Sequence, residues 1–210
     1  MSVHLVHTAR VHCATFDRLR DLIAPGVEVS HHVHESWLDR ARRAEDNSLK
    51  VEIADYLSQL HGPVLCTCTT IGPMAEAAGA LRIDWPMMQA AAQTKGSVLL
   101  VYCLESTREP SRVLLQRALD DVGSEHSVID LPLLHLWPLF EAGKADEFST
   151  AIAKGIRQTL NIQQGVKTVI LAQASMAAAA DRLEDVEIPV LSSPRLALEV
   201  LLGLGGVKAG

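Results

Sequence analysis

Four cysteines in 210 residues are too few to staple a chain of this length. Disulfide frameworks belong to small secreted domains that cannot build a sufficient core. Cys13, Cys66, Cys68 and Cys103 therefore read as reduced thiols in a cytoplasmic protein. Basic residues are scarce too: 19 Lys and Arg stand against 25 Asp and Glu, a formal charge of −6. That balance excludes the basic face on which nucleic-acid binding rests, and it leaves no polybasic patch for a membrane surface. No apolar run reaches membrane-spanning length, and MSVHLVHTAR lacks the charged-then-apolar pattern of a secretion signal. Gly-rich phosphate loops are missing: IGP (71–73) and GLGG (203–206) have neither the flanks nor the spacing, and the closing GLGGVKAG reads as a frayed tail. The C-x-C at 66–68 lacks a second Cys/His pair at finger-like spacing, so a structural zinc is not expected.

What is present is the composition of a globular chain, 48% hydrophobic and 21% charged. Short apolar runs alternate with helical patterns. VHLVH (3–7), VEVSHHV (27–33), PVLC (63–66), SVLLVYC (97–103), HSVIDLP (126–132), TVILAQ (168–173) and IPVLSS (188–193) read as strands. Helices are expected over Thr15–Ile23, from Glu35 to Leu60 with a break near Asn47-Ser48, and from Pro73. Others are expected over Ser111–Val122, over Phe148–Leu160, along SMAAAADRL and along PRLALEVLLGL. Ser193 before Pro194 is a good helix start. The alternation predicts an α/β fold with parallel sheets covered by helices. LPLLHLWPLF (131–140) is either a subunit contact in a homo-oligomer or a buried loop and helix start.

Ligands of such folds gather beyond the carboxyl ends of the strands. Four of these ends carry small hydroxyl or thiol residues: His7-Thr8, Cys66–Thr70, Cys103–Thr107 and Gln173–Ser175. A helix start offers free N–H groups and positive potential to a carboxylate, and it lowers the pKa of a nearby thiol. A thiolate there can act as a base toward an acidic C–H or as a nucleophile. Cys66 still belongs to its strand and reads as a small buried residue, whereas Cys68 lies in the turn. In HHVH, His32 and His34 share one face by the two-residue period, so with Glu35 they can hold a metal or line a pocket. TCTTIGP and AQASMA repeat one grammar about a hundred residues apart, which points to two similar lobes.

These residues resemble a family. HT (7–8), HHVHESWL (31–38), CTCTTIGP (66–73), RIDWPM (82–87), EST (105–107), LAQASMA and VLSSPR look, in that order, like the aspartate/glutamate/hydantoin racemase superfamily. The resemblance implies two similar α/β lobes with the active-site cleft between them, here 1–95 plus 190–210 and 96–189. It also implies chemistry without a cofactor or metal, on a small carboxylate flanked by two cysteines, one from each lobe. Cys68 matches the first cysteine, and Thr69 and Thr70 match the carboxylate-binding positions. Thr8, Ser106, Thr107 and Ser175 are further donors. Where the second cysteine belongs, this chain has Gln173, which can hydrogen-bond a substrate but cannot act as an acid or base. The expectation is therefore a one-thiol racemase, isomerase or decarboxylase. The alternatives are a carboxylate-binding protein without turnover and a metal-dependent hydrolase built on His32 and His34.

Overall fold

The computed structural model describes residues 2–43 and 47–204. The expected frayed tail falls mostly on 205–210, outside the described residues. A first series of elements comprises β1 (Ser2–His7), α1 (Val11–Ile23), β2 (Glu28–Val33), α2 (Glu35–Ala41), α3 (Asn47–Ser58), β3 (Val64–Cys66), α4 (Gly72–Ala77) and β4 (Leu81–Arg82). After α5 (Trp85–Ala92) a second series begins with β5 (Ser97–Tyr102), α6 (Glu105–Asp121), β6 (Val128–Pro132) and α7 (Trp137–Glu141). It continues through α8 (Ala145–Ile162), β7 (Val166–Leu171), α9 (Ala178–Asp181) and β8 (Val190–Ser192), and α10 (Ser193–Leu201) comes last.

Each series builds its own four-stranded sheet, ordered β2-β1-β3-β4 and β6-β5-β7-β8. Every pairing is parallel. The second order is the first shifted by four strands, so the chain uses one topology twice. This is the α/β architecture that the alternation predicts. Two compact units divide the chain, Met1–Pro86 with Pro194–Gly210 and Met87–Ser193. The sequence reading placed the changes after 95 and 189. The contacts place them after 86 and 193, and Val190–Ser192 pairs with β7 in the second sheet.

In the first unit α3 turns Leu49, Ile53 and Leu57 inward at four-residue spacing. They pack with Val6, Trp37, Cys66, Ile71 and Ala75. In the second unit β5 and β7 are buried almost along their whole length, as parallel strands covered on both faces must be. Phe148, Ile152 and Ile156 of α8 pack against Leu99, Val101, Val169 and Leu171. Leu133 and Leu136 of the apolar 131–140 stretch join this core, while Leu134 is exposed. Among the described residues no helix is long and apolar enough to cross a membrane.

Ile152 is fully buried at the centre of that second core. Ile152→Ala leaves a cavity there and is expected to cost about 2–5 kcal/mol, read as a lowered midpoint in urea denaturation.

Candidate functional site

All strands of a parallel sheet end at the same edge, so β1, β2 and β3 bring His7-Thr8, Val33-His34 and the TCTT turn together. The turn is tied down as it leaves the sheet. Thr67 N–H donates to the Val6 carbonyl at 2.9 Å, and the Thr67 hydroxyl donates to the same oxygen at 3.1 Å. The Cys66 thiol, fully buried, donates to the Cys68 carbonyl at 3.6 Å. Cys66 thus closes the turn on itself, and Cys68 is left partly exposed beyond it.

Three donors converge on the Cys68 sulfur: the Thr8 hydroxyl and the backbone N–H groups of Thr70 and Ile71. Each favours the thiolate. Burial opposes them and is the larger effect, with the Asp84 carboxylate adding to it, so the thiol is pushed above its ordinary value. The sequence reading expected a lowered pKa from the helix start. The difference is physical: α4 has only six residues, and desolvation of the charged form outweighs a few dipoles. Of the expected carboxylate donors, Thr8 and Thr69 are buried and Thr70 is half-buried beside them.

Beneath the turn lies a buried ion pair. Arg82 Nε and Nη2 donate to Asp84 Oδ1 and Oδ2 at 3.0 and 2.8 Å, with side-chain exposures of 3% and 0%. The guanidinium runs against Gly72, where an added Cβ would lie 2.9 Å from Arg82 Nε. Gly72 is therefore set by this close approach. Ile83 N–H donates to the Cys66 carbonyl at 3.0 Å, which fastens the pair's segment to the thiol turn. The RIDW stretch was part of the resemblance, but its role as the floor of the turn was not read from sequence.

The histidines divide by strand face. On one face His4 Nδ1 lies 3.0 Å from His32 Nε2, and His32 Nδ1 lies 2.7 Å from the Tyr56 hydroxyl. His34 stacks on Trp37 with ring centroids 3.8 Å apart and meets Tyr56 edge-on. His32 and His34 do gather around Tyr56, yet Glu35 is exposed. Among the described residues, the group that can hold a metal lies elsewhere, on His7, Cys13 and His31. On that face His7 Nε2 lies 2.8 Å from His31 Nδ1, and burial, reinforced by His31, His12 and His32, lowers the His7 pKa to about 3.

The second unit repeats the strand-end arrangement with different contents. Gln173, after β7, accepts from the N–H groups of Cys103 at 2.6 Å and Leu104 at 3.2 Å through its side-chain oxygen. That oxygen is committed to the turn after β5. Burial pushes the Cys103 thiol up to about 12. Thr107 is buried inside α6, and Ser106 is half-buried. The Ser175 hydroxyl is buried without a hydrogen-bond partner.

No family model matches the chain, and no curated protein matches it in sequence. Solved structures do. It is similar to allantoin racemase from Klebsiella pneumoniae, with TM-score 0.65 and 18% identity, over 97% of this chain and 87% of that one. Aspartate racemase from Picrophilus torridus matches with TM-score 0.64 and 14% identity, over 96% and 93%. An arylmalonate decarboxylase variant matches with TM-score 0.59 and 10% identity, over 100% and 95%.

Arg82→Met would strand Asp84 as an unpaired buried charge and is expected to cost about 3–5 kcal/mol. Gly72→Ala would push against the pinned guanidinium and cost about 1–3 kcal/mol. Urea denaturation of the two variants checks both the sign and the order.

Proposed function

The chain has the fold of the Asp/Glu racemase superfamily, and we propose that it is an enzyme of that kind acting on a small carboxylate through one catalytic thiol, Cys68. The observation that carries this reading is the convergence of the Thr8 hydroxyl and the Thr70 and Ile71 amides on the Cys68 sulfur at the end of a parallel sheet. Such a cradle stabilises negative charge as it appears, without reorganisation.

The raised thiol pKa supports a proton-donating role for Cys68. At neutral pH the group is S–H, an acid ready to protonate carbon rather than a standing base. In a decarboxylase-type reaction, loss of CO₂ leaves an electron pair on the α-carbon. The Cys68 proton passes to that carbon, the thiolate is held by its three donors, and solvent returns the proton. Thr69 and Thr70 are the proposed carboxylate partners beside the thiol.

Gln173 supports the one-sided form, because it has no titratable proton and its oxygen is occupied by the Cys103 and Leu104 amides. Amino acids, hydantoins and substituted malonates incubated in deuterated buffer test this. The expected product carries deuterium at the α-carbon in one configuration, and Cys68→Ser lowers the rate by about 10²–10⁴-fold. Full racemisation by the wild type would sink the one-sided mechanism. Tight binding without turnover or exchange would favour a non-catalytic carboxylate-binding protein.

The thiol itself gives a second readout. The pH midpoint for alkylation of Cys68, followed on its own peptide by mass spectrometry, is expected above the ordinary thiol value of 9.0. Thr8→Val removes a donor to the thiolate and should move that midpoint higher still. A midpoint below 9.0 in the wild type would overturn the proton-donor assignment.

A further inference from the structure

Six of the nine histidines fall within the first 34 residues, and the thiol chemistry uses none of them. The register of β1 with β2 pairs Leu5 with His31 and His7 with Val33, so His7 and His31 sit diagonally on one face. His7 Nε2 and His31 Nδ1 face each other across 2.8 Å. Their far nitrogens already have partners. The Thr67 hydroxyl donates to the Val6 carbonyl, so it accepts from His7 Nδ1–H at 2.8 Å. His31 Nε2 lies 3.3 Å from Asp17 Oδ1, and a carboxylate only accepts. These partners put the ring hydrogens on the far nitrogens and leave lone pairs on the facing ones. Two lone pairs so close repel unless a positive centre lies with them.

Cys13, on α1, supplies the third group. Its sulfur and one ring nitrogen from each of His7 and His31 all lie within 4.8 Å of one another. We propose that His7 Nε2, His31 Nδ1 and Cys13 Sγ form a binding site for a divalent transition metal of the zinc class, with a fourth position open to water or a small ligand. Imidazole with thiolate is the borderline-soft set that such ions prefer. The outer groups fit as well: Asp17 behind His31 and Thr67 behind His7 hold the rings in the metal-binding tautomer, as carboxylate and hydroxyl partners do around bound metals. Metal–nitrogen bonds of about 2.0–2.1 Å in a tetrahedron set the nitrogens roughly 3.3 Å apart, so the rings need separate only by about half an ångström. His31 is half-buried and has that freedom. Binding displaces the Cys13 thiol proton to solvent.

This site is independent of the Cys68 reading and departs from the expectation that the chain holds no metal. It differs also from the pairing of His32 with His34, whose rings are engaged with His4, Tyr56 and Trp37.

Cobalt titration of the full chain, stripped with chelator beforehand, tests the proposal. The expected result is one tight Co²⁺ per chain, with a thiolate-to-cobalt charge-transfer band and the strong d–d bands of a tetrahedral site. Cys13→Ser should abolish the charge-transfer band, and His31→Gln should weaken binding. Asp17→Asn, at a half-exposed position, should weaken binding by about 10–100-fold. Circular dichroism of each variant checks the fold. No binding would mean that the rings form only a hydrogen-bonded pair, with the Thr67 hydroxyl turned toward His7, and would overturn the proposal. So would binding without a thiolate band, or a band that survives in Cys13→Ser. Alkylation of Cys68 in Cys13→Ser reads the thiol cradle separately, so failure of one reading is not mistaken for failure of the other.

Discussion

The turn that carries Cys68 depends on the Arg82–Asp84 pair beneath it. Both side chains are almost fully removed from water, and their two parallel hydrogen bonds compensate two buried charges. Everything around them is adjusted to that requirement. Position 72 carries no side chain because the guanidinium passes there, β4 is only two residues long, and Ile83 is fastened to Cys66. The negative end of the pair also reaches the thiols, since Asp84 raises both Cys66 and Cys68. A pair that supports the turn therefore also biases its chemistry toward the protonated sulfur.

The sequence carried the architecture well where the signal was local. VHLVH, SVLLVY and TVIL are buried strands because their apolar runs are short and bounded by polar turns, and the structure places strands at all three. The repeated grammar of TCTTIGP and AQASMA corresponds to one strand order used twice. Legibility failed where distant contacts decide. The expected helix starts at Ser111, yet α6 begins at Glu105 and keeps Pro110 inside it. Its buried face of Thr107, Ser111, Leu114, Leu115 and Ala118 outweighs the local cost of one proline. Leu81–Arg82 becomes a strand only by pairing with Leu65 and Cys66, which no local pattern announces.

The candidate site divides the same way. That Cys66 is enclosed and Cys68 stands further into the turn followed from the strand's end, and the hydroxyl of Thr8 arrives through the parallel register. The ionisation of Cys68 did not follow, because burial is a property of everything packed around the sulfur. The histidines show the limit most clearly. The two-residue period relates His32 to His34, but it cannot say that His31 meets His7 while His32 meets His4. The register between β1 and β2 decides that, and it is set by the sheet.

Gln173 gives the repeated topology a direction. Its side-chain oxygen occupies the two amides that open the turn after β5, while the Thr70 and Ile71 amides after β3 remain directed at a thiol. One copy of the motif is closed by a side chain of its own unit, and the other keeps its amides on a sulfur. The same strand-end turn thus holds a side-chain oxygen in one copy and a sulfur in the other, so identical topology ends in two different electrostatic environments.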